Sequence, residues 1–463
     1  MKPNVTFGIG NLALIEKVDG ELGGYLDRVF GSIGGKAKDF VPCVKLLIYN
    51  RLGNCLPASR LEDYPTELFD RMGFEKPLSH RTFNRTAERI GKSYQFVLLE
   101  HQNVLKERNL VSKEQLVDFS SSYFEGNASP LGARGYSRDG KPGKKQITFG
   151  ISTGIDDIPS ALTIQKGNVQ DRKHFRIMLR TAKAVLEEGS VLIYDCGANT
   201  KKNRELVRSA KFHYITLKAK KVGPYKKLVA IHNTKDKQVF ELNKRTYSCV
   251  KIKRKDGFQY IYFSEKLYQD QIRKKTKKLE KELEKNRTKL KKIMAGKPLE
   301  KLICEDGFII TKGILQKIID EIPNPYINGI EGYFTLESSI DEDPMKILSL
   351  YKNRDKAEKL IRNMKEGTEM RPIRHWSDWA VIGYVIIIFL TNFLVNLTLN
   401  KAKKPLVKNV KLLKKYLMNL TLTVVYPPKG FRFHIVSNIS EEIRSIFGNY
   451  IDKYQDKSLR MRW

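Results

Sequence analysis

LVDFSSSYFEG (residues 116–126) is a short β-rich run that carries an aspartate, Asp118, among apolar and small residues. An ionised carboxylate inside a strand is costly unless it is paired or bound to a cation, so the residue marks either a site or a structural ion pair. Two further β-rich runs follow across Gly, Pro and Asp turns, KKQITFGIST (144–153) and ALTIQKGN (161–168). An amphipathic helical stretch is expected from about His174 to Glu188. Then come VLIYDCGA (191–198), a buried-strand type of run, the helical piece TKKNRELVRSA (200–210) and the strand FHYITLKA (212–219). Three strands, a helix, a strand, a helix and a strand make a mixed α/β sheet flanked by helices. Asp195 closes VLIYD, at the carboxyl end of its strand, where α/β sheets place ligands. An aspartate at a strand end is also a common turn former or helix cap, and neither aspartate is decisive alone.

Working outward, residues 1–112 read as a helical region, with amphipathic stretches such as VPCVKLLIYNRL (41–52) and TAERIGKSYQFVLLEHQNVLKE (86–107). LSHRTFNRTAERIGK (78–92) sets His80, Arg81, Asn84, Arg85 and Arg89 on a helix that could read DNA, although a solvated basic helix would look the same. The core, 113–220, is interrupted by 221–330, a β-rich insertion with a long Lys-rich helix. Within it KLVAIHNT (227–234), KQVFELNK (237–244) and YSCVKIKRKDGFQYIYFS (247–264) are expected as hairpin strands, with a tight turn at Asp256-Gly257. From Glu265 to Lys292 the chain is rich in Lys and Glu. Ile272, Thr276, Leu279, Leu283, Asn286, Leu290 and Ile293 recur at steps of four and three, a heptad seam with two polar seats. The core resumes over 331–400, with GYFTLESS (332–339) as a strand. A basic region, 401–463, closes the chain with a YPPKG turn and a last helix near ISEEIRSIFGNYIDKY (439–454).

Lys and Arg total 85 against 51 Asp and Glu, a net charge of +34. Such an excess repels itself unless a polyanion offsets it, which makes nucleic acid the default partner. Five scattered cysteines (Cys43, Cys55, Cys196, Cys249, Cys304) without a Cys-x-x-Cys pair argue against a disulfide framework and a zinc ribbon. The start, MKPNVTFGIGNLALIEK, lacks the pattern of an export signal. WAVIGYVIIIFLTNFLVNL (379–397) is nearly long enough to cross a bilayer, but a lone apolar segment in so basic a chain is expected to be a core helix, with no membrane association. No G-x4-G-K-[ST] loop occurs.

DPMKILSLYKNRDKAEKLIRNMK (343–365) supplies the specific signal. It is expected as one helix, with Pro344 near its start and Gly367 just past its end. Tyr351-x2-Arg354-x3-Glu358-x6-Lys365 then returns to one face at 3.6 residues per turn, displaying a phenol, a guanidinium, a carboxylate and an ammonium together. Read without further context, the pattern also fits a solvated helix with i,i+4 pairing of Arg354 and Glu358.

This Tyr-x2-Arg-x3-Glu-x6-Lys pattern resembles the signature of the DDE insertion-sequence transposases, whose catalytic core is ribonuclease-H-like. VDFSSSYFEG, GYSRDGKPGKKQITFGIST, VLIYDCGANTKKN and GYFTLESS resemble, in the same order, that family's first-Asp strand, the hairpin after it, its second-Asp strand and the strand re-entering the core. The likeness spans roughly residues 113–400. Ala357 stands where an apolar β-branched residue is usual, and Phe119-Ser120 follows Asp118 instead of a Thr-rich run. The resemblance implies that Asp118, Asp195 and Glu358 are catalytic and bind two Mg²⁺ (or Mn²⁺), one activating water or a DNA 3′-hydroxyl and the other stabilising the leaving oxygen. It implies that Tyr351, Arg354 and Lys365 contact DNA at the cleaved end. It further implies double-stranded DNA partners (terminal inverted repeats and target), a homodimer in the DNA complex and action in the cytoplasm at the nucleoid. The alternatives are a metal-dependent nuclease of the same fold, a catalytically silent DNA-binding descendant and a membrane-associated basic protein.

Overall fold

The computed structural model describes residues 2–74, 78–126, 128–293, 324–402, 406–407 and 409–456. Its contacts divide the chain into two compact units, residues 1–213 with 353–463, and residues 214–352. The second unit is thus inserted between the fourth strand of the core and the helix carrying Glu358.

In the first unit the sheet is built on β2 (Glu114–Tyr123), the strand that carries Asp118. β2 lies between β3 (Gln146–Gly154) and β5 (Val191–Tyr194), and β4 (Pro159–Lys166) pairs outside β3. The β2/β3 and β3/β4 pairs are antiparallel, as hairpins require, and β2/β5 is parallel, with α7 (Asp171–Lys183) between β4 and β5 in sequence. Every residue of β3 is buried, which its unbroken small and apolar run permits. Buried Gln115 would be a liability, but its Oε1 accepts hydrogen bonds from Ser152 Oγ (2.9 Å) and Ser160 Oγ (2.6 Å).

Helices surround this sheet. Among those of the first 112 residues are α1 (Gly10–Glu21), α2 (Tyr25–Gly34), α3 (Phe40–Leu52), α4 (Thr66–Met72), α5 (His80–Lys92) and α6 (Tyr94–Glu107). That region is not helical throughout. β1 (Val5–Gly8) pairs with β11 (Thr421–Val425), which pairs with β12 (Phe433–Ser437), so the two chain ends share a 3-stranded sheet with the YPPKG turn between its last two strands. Alternation in TLTVV carried that strand signal, and burial of Leu422 and Val424 uses it.

The apolar segment forms the helix Asp378–Lys401, whose most apolar window is 94% buried. It packs against α5 through a close glycine contact: a Cβ on Gly91 would lie 1.9 Å from the Trp379 carbonyl oxygen, and one on Gly383 1.8 Å from that of Ala87. α5 therefore buries Phe83, Ala87 and Ile90 while Arg81, Arg85 and Arg89 stay exposed.

In the second unit the strands run in the order β6 (His213–Leu217), β10 (Tyr333–Ser338), β9 (Gly257–Phe263), β8 (Thr246–Arg254), β7 (Gln238–Glu241), all neighbours antiparallel. KLVAIHNT is not a strand here. It belongs to α9 (Val222–Thr234), because Tyr225, Leu228 and His232 recur at helical spacing and bury one face, with Tyr225 and Leu228 packing against Ile261 and Ile330. Tertiary packing overrides the β preference of Val and Ile. The Lys-rich helix α10 spans Glu265–Ile293. Ile272, Thr276 and Leu279 are half-buried while Arg273, Lys274, Lys277 and Lys278 are exposed, which gives the near half of the seam its stripe. The far half, Leu283, Asn286, Leu290 and Ile293, lies outside the described side chains, and Cys304 lies outside the described residues.

Candidate active site

The parallel register brings the two aspartates together. Val117 is level with Tyr194 across β2 and β5, so the next residues along, Asp118 and Asp195, are neighbours on strands about 4.8 Å apart. Asp195 sits just past β5, where the chain leaves the sheet in a turn toward α8 (Lys201–Ser209). Burial raises the Asp118 carboxyl to about pH 6; Arg354 and the Phe119 N–H oppose the rise, and the charges of Glu358 and Asp195 add to it. The Phe119 backbone N–H donates to Asp118 Oδ1 at 2.9 Å.

The predicted single helix over 343–365 is broken twice. One helix, Pro344–Lys352, ends with Tyr351 in its last turn, in the second unit. A turn at Asn353-Arg354 follows, and the next helix spans Asp355–Arg362. Asn and Asp favour such turns over helix interiors. Arg354 nonetheless has helical backbone angles, and its carbonyl accepts from the Glu358 N–H at 3.3 Å. The i,i+4 relation of Arg354 and Glu358 therefore survives. The Arg354 guanidinium lies between two carboxylates: Nη1 is 3.5 Å from Asp118 Oδ1, and Nη2 donates to Glu358 Oε1. Nearby, Lys356 pairs with Asp157 at 3.3 Å and donates to the Ile155 carbonyl, pinning the helix beside β3.

Lys365 does not share that face. Residues Asn363–Gly367, Lys365 among them, form a π-turn, with the Thr368 N–H reaching the Asn363 carbonyl at 2.9 Å, and this wider turn departs from the 3.6-residue phase that a shared face needs. Lys365 is turned inward, its side chain 7% exposed, with Nζ 2.8 Å from Asp139 Oδ1. Arg371 Nη1 reaches the same oxygen at 2.7 Å. The Asp139 side chain is itself 1% exposed, and among the described residues its buried Oδ2 has no hydrogen-bond partner. This clasp ties the Gly- and Lys-rich hairpin to the end of the Glu358 helix. Nothing in SRDGKPGKK distinguishes Asp139 from a solvated turn residue. A second tie in the hairpin, Arg138 to both Asp171 carboxylate oxygens at 2.6 Å, was likewise hidden in sequence.

The structure thus gathers Asp118, Asp195, Arg354 and Glu358, and separates Lys365 from them. Among the described residues no three or more His, Cys, Asp or Glu side chains form a ready-made metal cage. The donor chemistry still suits a hard divalent cation: every candidate ligand is a carboxylate, and Asp118 is costly to ionise without a positive neighbour. The Arg354 guanidinium now supplies that charge. The four described cysteines (Cys43, Cys55, Cys196, Cys249) are free thiols.

No curated protein matches. A solved structure of a piggyBac transposase synaptic complex with hairpin DNA is similar at 9% identity and a TM-score of 0.42, over 99% of this chain and 86% of that one. The family model described as the transposase DDE domain matches residues 113–392. That match covers more than half of the sequence, and the chain belongs to the transposase DDE domain family.

Proposed function

We propose that the protein is a transposase that cleaves DNA at the ends of an insertion sequence and joins them to target DNA, with Asp118, Asp195 and Glu358 as its catalytic carboxylates on a ribonuclease-H-like core. The observation that carries the reading is the meeting of Asp118 and Glu358 at one guanidinium with Asp195 on the neighbouring strand end, the Asp118 carboxyl being pushed up to about 6 chiefly by burial. Two Mg²⁺ (or Mn²⁺) ions held by the three side chains would supply Lewis acidity at the scissile phosphate and an acidified attacking hydroxyl.

In this reading, Asp118 and Asp195 stay fixed by their adjacent strands and Glu358 closes the set from the helix. Arg354, which bridges Asp118 and Glu358, would hold two oxygens of a phosphate in bidentate fashion if those carboxylates were taken up as metal ligands. Tyr351 is assigned to the same DNA junction. Lys365 could reach a phosphate only if Asp139 left it; with Asp139 in place it is a positioning residue that holds the hairpin. The exposed Arg81, Arg85 and Arg89 of α5 would contact the terminal repeats, and pairing of two ends calls for a dimer on DNA.

Asp118→Asn, Asp195→Asn and Glu358→Gln are expected to abolish Mg²⁺-dependent cleavage of element ends while DNA binding survives. Normal cleavage by all three variants would overturn the site. Release of ends with no joined product would replace the transposase reading by a nuclease.

A further inference from the structure

With Lys365 taken by Asp139, another cation has to meet DNA beyond Glu358. The helix Asp355–Arg362 keeps its α-helical phase to its last residue, so Arg354, Glu358 and Arg362 succeed one another at steps of four. Arg362 is exposed and stands immediately before the π-turn, at the last position that still shares the face of Glu358.

Arg362 lines a groove of about 710 Å³, within the size of ordinary ligand sites, whose other wall is the helix Val410–Asn419. That helix buries Val410, Leu413 and Leu417 and leaves Lys411, Lys415 and Met418 exposed, so two ammonium groups one turn apart line the groove. Its half-buried Lys414 is spent on the backbone, Nζ donating to the carbonyls of Arg51 (3.1 Å) and Gly367. The groove also holds two carboxylates: Glu366 is bound to Arg371, and the charge of Glu369 acts on Lys414. Among the described residues, Arg362, Lys411 and Lys415 have no ion-pair or hydrogen-bond partner.

Three like charges in one groove repel each other, and with both carboxylates committed to other cations they favour a polyanion. Glu358 and Arg362 are one step of four apart, roughly 6 Å of helix, and Lys411 and Lys415 are separated by the same rise. A DNA strand advances about 3.4 Å per nucleotide, so each step covers roughly two nucleotides of backbone. A strand whose phosphate is held at Glu358 would thus enter the groove at Arg362.

We propose that this groove carries the sugar–phosphate backbone of the cut strand of the element end, with Arg362 on a phosphate roughly two nucleotides from the one at Glu358 and Lys411 and Lys415 on phosphates beyond it. Continuity with the helix that bears Glu358 favours the cut strand over target DNA, since that strand is the one already seated at the carboxylates. The inference rests on the transposase reading and gives it a path for the DNA.

The test measures binding of the full-length protein in EDTA to a duplex carrying an element end, plotted as log affinity against log salt. The triple variant Arg362→Gln, Lys411→Gln, Lys415→Gln should flatten the plot by about 0.9 for each lost phosphate contact, roughly 2.7 in all. Its Tm should match the wild type, because all three side chains are exposed. Neutral methylphosphonates roughly two to five nucleotides from the cleavage point in the cut strand, placed on either side in separate duplexes, should on one side flatten the wild-type plot similarly and add nothing to the variant. Lys359→Gln, at an exposed position outside the groove, should leave the plot as it is, and Lys411→Arg with Lys415→Arg should keep the wild-type slope. An unchanged slope in the triple variant would overturn the groove as a DNA site. A flattening seen only with a duplex of unrelated sequence would hand the groove to target DNA and overturn its assignment to the cut strand. Either result leaves the transposase reading to the carboxylate variants, whereas a wild type that binds neither duplex would overturn that reading too.

Discussion

Arg354 and Lys365, two cations of one sequence motif, end in opposite environments. Arg354 faces the candidate site, strung between Asp118 and Glu358 where an incoming cation or phosphate can compete for it. Lys365 is sealed against Asp139, and burial lowers its pKa despite that partner. Two interruptions, the turn at Asn353-Arg354 and the π-turn Asn363–Gly367, break the helix that would have aligned them. Spacing on a sequence fixes a shared face only while the helix keeps its phase. The two regions should therefore respond oppositely to substitutions of the same kind.

The largest contrast is in activity. Glu358→Gln should lower metal-dependent cleavage by at least ~10³-fold, since removing one member of a set that acts as a unit disables the whole. Single-turnover cleavage of a labelled end measures it, and a loss below ten-fold would remove Glu358 from the site.

Next come two Asp→Asn changes with opposite signs. Asp139→Asn leaves Lys365 and Arg371 without their shared carboxylate in a buried place, and should destabilise the protein by about 3 kcal/mol in urea unfolding. Asp118→Asn should stabilise the metal-free protein by up to ~3 kcal/mol at pH 8. The sign follows from proton uptake. The folded carboxyl titrates at about 6 and the unfolded one near 3.8, so between those values the native state holds the extra proton and stability falls as pH rises. Above pH 6 the full penalty of a buried charge is present, and below pH 3.8 it is gone. The gain from Asp118→Asn should thus shrink on acidification, and Mg²⁺ should raise the wild-type Tm more at pH 8 than at pH 5. A gain that is the same at both pH values would show that burial does not govern Asp118.

The smallest effect is on salt dependence. Arg354→Ala should flatten the plot of log affinity for DNA against log salt by about one unit, the signature of a lost phosphate contact. Lys365→Met should leave that slope unchanged and lower the Tm. A flattened slope for Lys365→Met would mean that Asp139 yields its place to DNA, returning Lys365 to phosphate binding.

Much of the core was legible because its signals are local. Alternation and turn residues located β2, β3 and β4, and the buried run VLIY located β5. The turn joining β8 to β9 falls at Lys255-Asp256, one residue before the expected Asp256-Gly257. Pairing of Arg354 with Glu358 followed from i,i+4 spacing and outlived the break at Asn353. Other features left no local trace. β1 is four residues long and gains its partner only from a strand more than 400 positions away, with Val5 level with Val424. KLVAIHNT satisfies both periods, and burial of Tyr225 and Leu228 decides for the helix. Asp139 reveals its role only through neighbours brought from distant parts of the chain.

By itself the sequence determined the core strands β2 to β5, the charge of +34 and the residue types of the candidate site, because propensity, alternation and net charge are properties of neighbours along the chain. Tertiary structure alone decided that Val117 and Tyr194 stand level across parallel strands, bringing Asp118 beside Asp195, that Arg354 bridges Asp118 to Glu358, and that Lys365 pairs with Asp139. Those outcomes depend on register, helix phase and burial, and each is set by contacts between residues the sequence keeps far apart.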